Sequence, residues 1–178
     1  MAALEKDFKA IATKSGVPIE DIVRTVVAMT ANETLWMTSS QFKLTHTAGL
    51  TVSKSGATAS ASTNPWLDTC RTDVPGVVVS QSWFTGQEKK FDTWYPVMQD
   101  DNKGALLLAL YLVTDFSYKP KVIEAFNATK VKSPFNIIAK HAGGERLIKN
   151  MLRWNSGDML NYGGDVAWIA KQIIVNEQ

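Results

Sequence analysis

The stretch Leu44-Thr-His-Thr-Ala-Gly-Leu-Thr-Val-Ser53, then Lys54-Ser-Gly56, then Ala57-Thr-Ala-Ser-Ala-Ser-Thr63 alternates two kinds of residue and carries one charged side chain, Lys54. Period-two alternation is the pattern of a β-strand with two unlike faces. In the first arm Leu44, His46, Ala48, Leu50 and Val52 share one face, and Thr45, Thr47, Thr51 and Ser53 share the other. In the second arm the apolar set is Ala57, Ala59 and Ala61, and the hydroxyl set is Thr58, Ser60 and Ser62. A two-residue turn at Ser55-Gly56 brings like faces together, and glycine there suits the positive φ of a type I′ turn. The expectation is a hairpin over about 44–63 with one side apolar and the other a row of hydroxyls. The plain outcome for such a ribbon is a half-buried hairpin with its polar side in water. A self-pairing edge and a membrane-inserting hairpin are the two sharper ones.

Working outward, Phe8, Ile11 and Ala12 make a helical stripe over 3–14, and Gly16 stands where a C-terminal cap belongs. Pro18 opens a second helix, with Glu20 and Asp21 at its positive end, running to about Asn32. Leu35–Phe42 fits neither period cleanly. Val77–Phe84 and Lys90–Val97 read as antiparallel strands joined through Thr85-Gly86-Gln87. Asp100-Asp101-Asn102 is a helix start, and Ala105–Val113, apolar on all sides, reads as a buried helix. Further helices are expected from Lys119-Pro120 to about Asn127, from Ser133-Pro134 to Gly143-Gly144, over Glu145–Trp154, and from Asp165 to Ile174 after a turn at Gly163-Gly164. The sum is an α+β fold: a single domain over 1–178, with antiparallel β-hairpins in the middle (about 44–63 and 77–97) flanked by N-terminal and C-terminal helices.

Bulk properties bound the function. The chain has 178 residues, 45% apolar and 20% charged, with net charge +2. That is ordinary for a globular protein, and the net charge implies no particular partner. A single cysteine, Cys70, forms no intrachain disulfide framework. No secretory signal is visible at the charged N-terminus, and the longest apolar run, Ala105–Val113, is too short for a transmembrane helix. Localisation stays undefined; a cytoplasmic or particle-associated setting is compatible.

Charge is nevertheless uneven. Acidic side chains dominate 61–118, whereas 119–178 holds nine basic and five acidic residues. Lys119, Lys121, Lys130, Lys132, Lys140, Arg146, Lys149 and Arg153 form the basic part, with Phe126, Phe135 and Trp154 between them. This pattern suits a solvated helical face, a phosphate or nucleic-acid contact, or docking on the acidic middle of another copy.

Motifs for catalysis are thin. Cys70 with His46 or His141, oriented by Asp68 or Asp73, would make a thiol hydrolase only if folding joined them. His141-Ala142-Gly143-Gly144 has no Gly-x-Ser-x-Gly partner. Two histidines and one cysteine are too few for a zinc centre, and Asp100-Asp101-Asn102-Lys103-Gly104 lacks calcium-loop spacing. No cofactor is implied. The segment from Ile11 to Arg24, with small Ala12, turn Gly16 and apolar Val17 and Ile22, resembles the helix-turn-helix of bacterial repressors. That resemblance implies a second helix in the major groove, yet Glu20 and Asp21 would face phosphates there. Six tryptophans are expected mainly in the core, with Trp83 and Trp94 facing across the second hairpin; the alternative is a partly exposed aromatic patch for a sugar, a lipid headgroup or another protein.

The function expected is non-enzymatic binding or assembly: a self-associating structural or particle subunit, viral or phage-like. Self-association would use Thr45, Thr47, Thr51, Ser53, Thr58, Ser60 and Ser62. The basic surface would be the eight cations named above. Nucleic-acid binding through 119–153 or the helix-turn-helix is the alternative, followed by a membrane-inserting hairpin or a thiol hydrolase.

Overall fold

The computed structural model describes residues 2–49, 78–80, 94–96, 98–129, 144–155 and 157–173. The chain divides into two compact units, Met1–Asn32 with Ala109–Gln178, and Glu33–Leu108. Its elements are α1 (Ala2–Ser15), α2 (Ile19–Thr34), α3 (Ser40–Thr45), β1 (Val78–Ser80), β2 (Trp94–Pro96), α4 (Asp101–Val113), α5 (Pro120–Thr129), α6 (Gly144–Trp154) and α7 (Met159–Gln172).

The architecture is helical, which overturns the expected α+β fold with its hairpins. At the start of the 44–63 ribbon, Leu44 and Thr45 form the end of α3, and 46–49 follow as a cap and a bend instead of a strand. Ser39 is extended, and its Oγ accepts a hydrogen bond from Phe42 N at 3.2 Å. That is a helix N-cap, and it commits the following residues to helix before alternation can act. His46, left-handed at φ 55°, ends the helix and donates its backbone N–H to Phe42 O. Residues 50–63 lie outside the described residues. The pairing of β1 with β2 covers three residues a side, Val78 opposite Pro96, Val79 opposite Tyr95 and Ser80 opposite Trp94. A two-stranded ladder of that length is no independent layer. Trp94 therefore stands opposite Ser80, and Trp83 lies outside the described residues.

In the first unit, α1 closes at Gly16, whose φ of +70° requires a residue without a Cβ penalty. Its N–H reaches Ala12 O at 2.9 Å. Ile22, Val26 and Met29 bury one face of α2 at the i, i+4, i+7 spacing of a helix stripe. Helices α5, α6 and α7 pack on one another. Leu147, Ile148, Met151 and Leu152 form the buried face of α6. Fully burying such side chains stabilises by about 1.5–3 kcal/mol each. The expected turn at Gly163-Gly164 does not form, because α7 runs through both glycines. Gly163 is buried within the helix.

In the second unit, the end of α3 meets the start of α4. Met98 N donates to Thr45 O at 2.9 Å, and His46 Nδ1 lies 2.7 Å from Asp101 Oδ1. A Cβ on Gly104 would fall 1.5 Å from His46 O, so only glycine allows this approach. The N-terminal half of α4 continues into Leu106, Leu107 and Leu108, all buried, as the apolar run predicts.

Candidate functional site

Between α2 and α3 the backbone does something unusual. Leu35, Trp36 and Met37 have φ of 48°, 57° and 65°, a left-handed run of three residues with side chains. Each such residue costs roughly 1–2 kcal/mol against the right-handed region. Thr34, itself buried, holds the run in place. Its Oγ1 accepts from Met37 N at 2.8 Å, and its carbonyl accepts from Thr38 N and Ser39 N, both at 3.1 Å. Thr38 Oγ1 adds a 2.6 Å bond to Leu35 O. The turn is thus over-determined by hydrogen bonds, which is how backbone strain persists.

This turn drives three large apolar side chains outward. Leu35 is 71% exposed, Trp36 63% and Met37 51%. Single exposed apolar residues need no explanation, but a contiguous strained set does. No charged side chain stands between Glu33 and Lys43 in the sequence. Sequence reasoning missed this site: 35–42 fits neither period cleanly, and the tryptophans are expected in the core first, with an exposed aromatic patch only as the alternative. The available signal was an apolar triplet lodged between Thr34, a hydroxyl that can hold a turn, and the helix cap Ser39.

The hydroxyl residues expected to form a self-association surface fare differently. Thr45 and Thr47 are buried, and Thr45 Oγ1 accepts from both Thr47 N and Thr47 Oγ1. These two hydroxyls therefore satisfy each other inside the protein instead of facing a neighbour, a correction that follows from the end of α3 and its left-handed cap at His46 standing where a strand was expected. Thr51, Ser53, Thr58, Ser60 and Ser62 lie outside the described residues.

The basic residues are split as well. Lys119 and Lys121 are exposed, and Lys130, Lys132 and Lys140 lie outside the described residues. Arg146, Lys149 and Arg153 line one stripe of α6 at i, i+3 and i+7, and all three are engaged within the first unit. Arg146 pairs with Asp115 at 2.9 Å and donates to the carbonyls of Val113 and Ser15. Lys149 pairs with Glu145 and lies 5.3 and 5.0 Å from the ring centres of Tyr118 and Phe126. The Arg153 guanidinium stacks 3.8 Å from the Phe116 ring centre and 5.8 Å from that of Tyr111. Between them, Asn150 is fully buried, and its Nδ2 donates to the carbonyls of Tyr111, Leu112 and Thr114 at 2.7–3.1 Å. Tyr118 donates to Asn150 Oδ1 at 2.7 Å. These residues cap the C-terminal end of α4 and hold the 114–119 connection. Burial pushes the Tyr111 phenol up to about 12, against a smaller opposing pull from Arg153. The Tyr118 phenol is raised too, first by burial and then by the Asp115 carboxylate.

In the segment from Ile11 to Arg24, α1 closes at Gly16 and α2 begins at Ile19. Asp21 is buried, with Oδ1 3.0 Å from Arg24 Nη1. His46 pairs with Asp101, while Cys70, His141, Asp68 and Asp73 lie outside the described residues. Among the described residues no group of three metal-ligating side chains occurs, and no helix is long and apolar enough to cross a membrane. No protein family, curated protein or solved structure matches this chain.

Proposed function

We propose that the protein is a non-enzymatic binding protein whose contact element is the Leu35–Trp36–Met37 turn. The observation that carries this reading is three adjacent apolar side chains held outward by a strained, hydrogen-bonded backbone. The turn loses conformational energy and leaves most of Leu35 and Trp36 and half of Met37 in solvent, so burial in the folded chain offsets little of that loss. Contact with an apolar partner would supply the missing burial. This retains the binding function expected from the sequence and moves its contact from the hydroxyl ribbon to the turn. Support for a nucleic-acid partner is weaker, because Arg146, Lys149 and Arg153 already serve internal partners.

The test is retention of the intact chain on a phenyl resin, compared with a Leu35→Ser, Trp36→Ser, Met37→Ser variant of unchanged circular dichroism. Retention should fall sharply in the variant. Equal retention of the two proteins would remove the turn as the contact element.

A further inference from the structure

We infer that the partner of this turn is a lipid–water interface, into which Leu35, Trp36 and Met37 insert; the inference rests on the binding reading above. The first argument is area. At the observed exposures the three side chains offer on the order of 400 Å². A stable protein–protein contact buries about 800 Å² on each partner. Two copies meeting through these three side chains alone would reach only about half of that, and the hydroxyls that flank them are already committed within the turn and the α3 cap. A bilayer interface has no such threshold, because a fluid phase closes around whatever is presented, and affinity scales with the apolar area inserted.

The second argument is chemistry. Trp combines a large apolar body with one N–H donor and concentrates at headgroup depth for that reason. Here it stands between two flexible or branched aliphatic side chains, Leu35 and Met37, in the middle of the left-handed run. The flanks are Thr34, Thr38 and Ser39, whose hydroxyls are already committed to the turn and to the α3 cap. With no charge from Thr34 to Phe42, insertion carries no ion into the headgroup region and needs no anionic lipid. No described helix can span a bilayer, so the contact made by these residues would be peripheral and reversible.

The experiment is flotation of the full chain with extruded phosphatidylcholine vesicles, with and without phosphatidylserine, at low and high salt. The chain should float with neutral vesicles, and salt should change this little. Trp36→Asn should weaken association by about tenfold or more without loss of helical content, while Trp36→Phe, which keeps most of the apolar area, should preserve it. Absence of flotation, or flotation unchanged in the triple serine variant, would overturn the inference. So would flotation that requires phosphatidylserine and disappears in salt, which would assign the contact to basic side chains. If phenyl-resin retention depends on the turn but flotation does not occur, the lipid inference falls and the binding reading stands. If retention is also indifferent to the turn, both fall.

Discussion

Met37 sets a long, half-exposed side chain at a backbone position that disfavours it. Its φ of 65° suits Asn or Gly far better than a residue with a long side chain. Asn at this position keeps the backbone N–H that reaches Thr34 Oγ1. Met37→Asn should therefore leave stability unchanged or raise it by up to about 1 kcal/mol, while lowering retention on an apolar surface. Urea unfolding read beside phenyl-resin retention checks both halves. Loss of stability would mean that the Met37 side chain packs in the folded state, contrary to its exposure. Trp36 illustrates the legibility problem at the same place. Its identity is plain in the sequence, but a tryptophan is normally core, and only the sign of φ over three residues turns it outward.

Helix α6 is the element on which sequence reading was half right. Its apolar stripe, Leu147, Ile148, Met151 and Leu152, is legible because residues three and four apart share a helix face. Its cations look equally like a free basic surface. What decides their use is the end of α4, whose last carbonyls accept from Asn150 and Arg146. Asn150→Ala should destabilise by about 2–4 kcal/mol, since buried carbonyls would lose their donors. Asn150→Asp should be comparably harmful although it is isosteric, because a carboxylate keeps the acceptor for Tyr118 but supplies no donor. Chemical denaturation midpoints decide this, and tolerance of aspartate would refute the donor role. In α3 the competition went the other way. Ser39 caps a helix through one hydrogen bond to Phe42 N, a local signal placed just upstream of an alternating pattern that pointed to strand.

For the whole molecule, the buried phenols set a limit on the alkaline side. In the unfolded chain Tyr111 ionises near 10, whereas in the folded protein burial pushes it up to about 12. Between those values the unfolded chain releases a proton that the folded chain retains, so folding stability is full below about pH 10 and falls as pH rises toward about 12. The loss attributable to Tyr111 reaches about 2–3 kcal/mol. Tyr118, raised in the same direction, adds to it. Tyr111→Phe should flatten this alkaline limb in thermal unfolding followed from about pH 9 to about pH 12; a limb identical to the parent would show that Tyr111 does not govern it.

The sequence by itself determined α1, α2, α4, α5 and α6 closely, because caps, proline and glycine positions and three-to-four spacing act within a few residues of the element they specify. Tertiary structure alone decided that Thr45 and Thr47 turn inward, that α7 continues through Gly163 and Gly164, that the α6 cations serve the end of α4, and that Leu35, Trp36 and Met37 face outward. The α6 cations depend on what a distant segment places beside them, whereas Thr45 with Thr47 and Thr34 with the 35–37 turn are settled by hydrogen bonds between near neighbours that residue type does not announce. A hydroxyl, a guanidinium or an indole can be satisfied by protein or by its surroundings, and residue type alone does not say which.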